Sequence, residues 1–237
     1  PPPPPPTTTL PLHDALPILH EVQVCTVSDV ERESIDYDVV IVGGGPAGLA
    51  TAIRLRQRAA DAGKDLSICL LEKAAEIGTH MLSGAVLDTR ALDELLPDWA
   101  SNSTFERCEV RSDELHILRS ATSSWRVPNL LVPAGMHNSG LQIISLGSLC
   151  RCLEERAAEM EVDLFPGFAA VQLTYDDAGA VTGVLTGDRG IDSQGNQKPG
   201  FEPGIELRGK QVVLAEGSRG HLGRELIDRF SLAEHCD

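Results

Sequence analysis

The sequence predicts an α/β fold built on a parallel sheet, and three observations agree on it. Val39-Val40-Ile41-Val42 is an unbroken β-branched run, the composition of a short strand covered on both faces. Glycines follow at once with G-x-G-x-x-G spacing, at Gly43, Gly45 and Gly48. A second apolar run, Leu66 to Leu71, then ends in an acid, Glu72, 24 positions after Gly48. Strand, glycine turn, helix and acid-tipped strand are the parts of a βαβ unit that binds a dinucleotide.

Each glycine has its own task in such a unit. Gly43 permits the tight turn, Gly45 lets backbone approach a pyrophosphate, and Gly48 lets the helix pack on its strand. The helix predicted from Pro46 to about Ala62 places Leu49, Ile53 and Leu55 among Ala and Arg with no interior breaker. Its first residues, Pro46 and Ala47, bring N-terminal amides to the phosphates. Glu72, followed by Lys73, stands where an acid hydrogen-bonds an adenosine ribose, and a carboxylate there repels the 2′-phosphate of NADP.

The remaining elements follow in order. Gly78 to Val86 is a loop of small residues that backbone contact with a flat ligand would suit. Thr89 reads as the cap of a helix from Arg90 to Leu96, closed by Pro97. Residues 101–140 form an irregular inserted segment with strand-like pieces at Glu114 to Leu118 and Trp125 to Val127. A strand at Ile143 to Ser145 precedes an amphipathic helix from Leu149 to Met160. Phe168 to Thr174 and Val181 to Thr186 flank Tyr175-Asp176-Asp177-Ala178-Gly179 as a β-hairpin. Gly187 to Gly204, rich in glycine and poor in apolar residues, is expected to be a mobile loop. Gln211 to Ala215 is a further buried strand, running through Glu216-Gly217-Ser218-Arg219-Gly220 into a helix from His221 to Phe230.

Composition narrows the function classes. With 237 residues and 42% hydrophobic content the chain can bury one sizeable core. No apolar run approaches the roughly 18 residues that cross a bilayer. A formal charge of −15 argues against a nucleic-acid surface, which needs clustered Lys and Arg. The six cysteines, at 25, 69, 108, 150, 152 and 236, lack C-x-x-C pairs. They read as reduced structural thiols of an intracellular protein, and no metal site assembles from them. Pro1 to Ile18 resembles translated adapter DNA joined to a reading frame. Residues 1–30 are therefore set aside as a non-native or disordered tail, leaving 31–237 as the domain.

Several strings are more specific than the glycine turn: Glu76-Ile77-Gly78, Leu82-Ser83-Gly84-Ala85-Val86, Met136-His137-Asn138, Ile144-Ser145-Leu146-Gly147, Phe165-Pro166-Gly167-Phe168-Ala169-Ala170 and Ala215-Glu216-Gly217. Together with the βαβ unit they resemble the electron transfer flavoprotein-ubiquinone oxidoreductase family, from about Glu31 onward. The resemblance implies a glutathione-reductase-like, FAD-binding Rossmann-type domain that is incomplete here. It implies FAD held by Gly43, Gly45, Pro46, Ala47, Gly48, Glu72 and Lys73, with Ser83 and Gly84 near the flavin and Glu216 and Gly217 closing the crevice. The implied partners are electron transfer flavoprotein, ubiquinone and, peripherally and through the part of the family's length missing from this chain, the inner membrane, at its cytoplasmic face in bacteria or matrix face in mitochondria. A 4Fe-4S cluster is implied too, with ligands outside this chain. So is the last FAD-contacting segment, and weak FAD retention is the expectation. The flavin carries the chemistry, so no general acid or nucleophile is nominated. His80 and His137 are read as structural loop histidines, and Arg219 as a partner for either a phosphate or a neighbouring carboxylate. Geranylgeranyl-reductase-like and monooxygenase-like flavoenzymes share the scaffold and form the alternative, as does a non-catalytic nucleotide-binding module.

Overall fold

The computed structural model describes residues 32–81, 84–102, 105–192 and 196–234. The tail at 1–30, Cys25, Ser83 and Cys236 lie outside them. In chain order the elements are β1 (Ser34–Val42), α1 (Pro46–Asp61), β2 (Ile68–Glu72), β3 (Ala85–Leu87), α2 (Arg90–Leu95), α3 (Trp99–Asn102), β4 (Arg107–Glu109), β5 (His116–Ser120), β6 (Ser123–Arg126), β7 (Gln142–Ile144), α4 (Leu146–Glu159), β8 (Asp163–Pro166), β9 (Ala170–Tyr175), β10 (Val181–Thr186), β11 (Arg189–Ile191), β12 (Gln197–Glu202), β13 (Glu206–Leu214) and α5 (His221–Arg229).

The main sheet has the order β8-β2-β1-β13-β10-β9. Its first four strands are mutually parallel, while β10 pairs antiparallel with β13 and with β9. At the centre Val40 stands between Cys69 of β2 and Val212 of β13. Successive β1 residues alternate between two cores, as the pleat requires. Val39 and Ile41 pack with Leu49 and Ile53 of α1 and Leu149 and Leu153 of α4. Val40 and Val42 pack with Leu173 of β9, Leu207 of β13 and Leu222 of α5. Both faces of β1 are covered, which is why its tip reads as one continuous apolar run.

Four expectations need correction. Thr89 makes no capping hydrogen bond; its hydroxyl donates to Asp93, and Asp88 Oδ1 accepts from the Arg90 amide instead. The helix expected from Leu149 begins at Leu146, because the Ser145 hydroxyl caps it by accepting from the Ser148 amide. The expected mobile loop between Gly187 and Gly204 contains an antiparallel hairpin, with Arg189 opposite Glu202 and Ile191 opposite Gln197. Its root is pinned by Arg32, whose guanidinium meets Asp188, both side chains being largely buried; Asp188 also accepts from the Gly204 amide. Lastly, β13 is half-buried over Val212 to Leu214 rather than fully enclosed.

The inserted segment divides in two. β4 joins β3 and β7 in a three-stranded antiparallel sheet, and β5 pairs with β6 as a hairpin exposed along both strands. After the hairpin, 3₁₀ turns at Asn129–Leu131 and Ala134–Met136 leave Leu130 95% and Leu131 66% exposed. No helix among the described residues is long and apolar enough to cross a membrane.

Candidate functional site

The glycine turn sits at the carboxyl end of β1, between the ends of β2 and β13. The Gly43 amide donates to Leu71 O at 2.9 Å, and the Ala215 amide donates to Val42 O at 2.7 Å. Three of its glycines are required by contact, Gly44 because a Cβ there would lie 2.9 Å from Glu72 Cβ. A Cβ on Gly43, whose φ is +115°, would lie 2.4 Å from Ala215 O, and a Cβ on Gly48 would lie 1.9 Å from Gly43 O. Gly45 differs: the nearest atom to its Cβ position is the end of the flexible Met81 side chain, at 3.5 Å. Of the four glycines in the turn, Gly45 alone has backbone that faces space a ligand could take.

Pro46 opens α1, so the missing proline amide falls where a helix leaves donors unpaired. The helix has no side-chain cap and no acid in its first turn. Its leading amides, including those of Ala47 and Gly48, therefore face an electropositive, uncapped end suited to an anion.

Glu72 is 8% exposed, and each carboxylate oxygen accepts a backbone amide. Gly44 N–H donates to Oε2 at 2.9 Å, and Ala74 N–H donates to Oε1 at 2.8 Å. A buried carboxylate needs such partners, and these tie the tip of β2 to the glycine turn. Each oxygen keeps a further lone pair for an outside hydroxyl donor.

The other nominated residues are distributed around this centre. Lys73 and Gly84 are exposed, and Gly84 has open space about its Cβ position at a φ of +83°. Gly217 likewise faces open space at a φ of +76°. The Glu216 side chain turns toward α5, accepting from the Gly223 amide at 2.9 Å and the Leu222 amide at 3.4 Å. Its backbone neighbour Ala215 thus lies against Gly43 while its carboxylate caps a helix. Arg219 and His80 are exposed. His137 lies 3.9 Å from Asp113, in a cleft of about 200 Å³ that includes none of the turn residues. A larger cleft of about 420 Å³, lined by Arg56, Lys64 and Met160, is at the other end of α1 and holds none of the nominated residues.

Sequence reasoning missed the partners that complete the centre: Met81 beside Gly45, the Ala74 amide, and the Gly167-Phe168 turn. Gly167 N–H donates to Ala74 O at 2.7 Å and Phe168 N–H donates to Glu72 O at 3.0 Å. The Pro166-Gly167 pair is the local sequence signal for that turn, quoted above only for the family resemblance, and Gly167 takes a φ of +81° there. Cys150, buried in α4, has its thiol pushed up to about 11, first by burial and then by the Glu72 charge, which leaves it inert at neutral pH. Among the described residues no group of acids, cysteines and histidines could hold a metal ion. The glycine cradle, the uncapped helix start and the acid beside it fit a pyrophosphate with an adjoining ribose.

Comparison with known proteins agrees with this geometry. The NAD(P)-binding Rossmann-like domain family matches residues 41–103. Two solved structures share the fold: a geranylgeranyl bacteriochlorophyll reductase-like protein from Thermoplasma acidophilum (TM-score 0.55, 19% identity, 81% of this chain and 42% of that one) and a myxobacterial chondrochloren halogenase described as FAD-dependent (TM-score 0.53, 16% identity, 80% and 39%). The fold is a Rossmann-type α/β fold. Sequence similarity is much higher to electron transfer flavoprotein-ubiquinone oxidoreductases. The Pseudomonas aeruginosa protein is 49% identical over 209 residues, and the mouse mitochondrial protein 45% over 210, each match covering 88% of this chain. The chain spans only 38% and 34% of the lengths of those two relatives. Over nearly nine-tenths of its own length, then, this chain is a homologue of the electron transfer flavoprotein-ubiquinone oxidoreductases.

Proposed function

We propose that this chain is the FAD-holding part of a flavoprotein-quinone oxidoreductase, one that passes electrons from reduced electron transfer flavoprotein to ubiquinone. The observation that carries the reading is Glu72, a buried carboxylate joined to Gly44 beside the uncapped start of α1. The Gly45, Ala47 and Gly48 backbone would receive the pyrophosphate. Glu72 would accept from the adenosine ribose and exclude a 2′-phosphate. Ser83, Gly84, Glu216 and Gly217 would border the rest of the cofactor, and Lys73 would add positive charge outside it. When bound, the flavin supplies the capacity to take electrons singly and pass on two, so the chain's own residues bind and orient it rather than shuttle protons. The 4Fe-4S cluster belongs to this reading as a group held by residues other than these.

Peripheral attachment at the inner membrane completes the proposal, at the matrix face in mitochondria or the cytoplasmic face in bacteria. The apolar side chains along β5, β6 and the turn after them support it, since Leu118, Trp125, Leu130 and Leu131 all face solvent. Titrating the chain with FAD tests the cofactor reading. Saturable uptake with flavin bands near roughly 375 and 450 nm is expected, and no uptake at any concentration would overturn it.

A further inference from the structure

The pin at the root of β11 and β12 has a neighbour that points back to the candidate site. Arg189 follows Asp188 directly, and Asp188 is held by Arg32 and by the Gly204 amide, so the start of the hairpin has a fixed position. From there the Arg189 guanidinium reaches across to the turn after β8. It donates to Gly167 O at 3.0 Å and lies over the Phe168 ring, with its central carbon 4.1 Å from the ring centroid. Both residues it grips are bonded to the segment that carries the buried acid: Gly167 to Ala74 O, and Phe168 to Glu72 O. Ala74 and Glu72 are bonded in turn, and Glu72 is bonded to Gly44. A continuous series of contacts runs from the hairpin to the glycine turn.

We propose that Arg189 is a positioning residue for the Glu72 carboxylate, fixing the Gly167-Phe168 turn and through it the backbone that aims Glu72 at Gly44 and at a ribose. A guanidinium suits the task better than an ammonium, because its planar face covers the ring while an N–H on its edge reaches the carbonyl. The turn has little room to move beneath it, since the Cβ position of Gly167 lies 3.5 Å from Arg189 Nη2 and 3.9 Å from Ala75 Cα. Arg189 touches no nominated cofactor-binding residue itself. The inference rests on the reading of Glu72 as the ribose acceptor.

Two measurements test it, the first without cofactor. In the ligand-free chain, Arg189→Met should speed hydrogen exchange of the Gly44 and Ala74 amides several-fold and leave those of Ile41 and Leu70 unchanged, because only the first pair is held by Glu72. Arg189→Lys keeps a cation over Phe168 and should restore part of the protection. In an FAD titration, Arg189→Met should weaken uptake about fivefold, in keeping with one exposed cation–π contact and one hydrogen bond. The same change made on Glu72→Gln should then have little further effect, because the two residues act in series. Unchanged exchange at Gly44 and Ala74, or an equal loss of affinity in both backgrounds, would overturn the proposal. Should the unaltered chain take up no FAD, the ribose reading of Glu72 fails and takes this inference with it; uptake with additive losses removes the inference alone.

Discussion

A methyl group at position 48 would sit 1.9 Å from the Gly43 carbonyl oxygen, so alanine there forces α1 away from β1. Gly48→Ala is expected to destabilise the fold by about 1–3 kcal/mol, the usual cost of overpacking, read as a lower urea midpoint. Glu72 presents the opposite case, a side chain whose loss leaves donors behind. Glu72→Ala strands the Gly44 and Ala74 amides and removes the ribose acceptor, so FAD affinity should fall roughly tenfold or more in a fluorescence titration. Affinity unchanged within twofold would count against the site. These two residues were legible in the sequence because each depends on local spacing. Arg189 was not. Its role comes from Asp188, which Arg32 holds across 156 positions of chain, and no local pattern encodes that meeting.

The elements α1, β2 and α5 stand where the sequence places them, their ends shifting by one or two residues, while β1 begins at Ser34, ahead of the apolar run that marks it. The misread ones were decided by single side chains: Ser145 moves the start of α4, and Asp188 turns a glycine-rich stretch into a hairpin. The β5–β6 hairpin offers a test at this scale. Its apolar residues have no core to join, and replacing Leu118 and Leu130 by Glu should reduce flotation with anionic lipid vesicles on the order of tenfold. The circular dichroism spectrum should not change, because neither side chain supports packing. Equal flotation would remove the membrane role from this element. The central strands and the α4 helix packed on them carry their own pH dependence. Burial pushes the Cys69 thiol up to about 12 and Cys150 to about 11, against an ordinary 9.0. Burial and the Asp163 carboxylate raise the Tyr37 hydroxyl as well. In each case the folded state keeps a proton that the unfolded chain releases first. Stability is therefore complete below about pH 9 and falls as pH rises toward 12, by about 1 kcal/mol per thiol at pH 10. Urea midpoints between pH 8 and 10.5 should show this decline, and a Cys69→Ala, Cys150→Ala double variant should flatten it.

At the scale of the whole molecule, the parallel sheet with its glycine turn was readable in advance, because strand, turn and acid all lie within one βαβ unit. The mixed character of the sheet was not, since it depends on β13 inserting between β1 and β10. That insertion bears on how the protein is made. Asp38 of β1 and Lys210 of β13 are bonded across 172 positions, so β1 leaves a ribosome well ahead of the strand that covers one of its edges. At ~5–20 residues per second the delay is roughly 10–30 s, during which one edge of β1 is bare and open to pairing with a strand of a neighbouring chain.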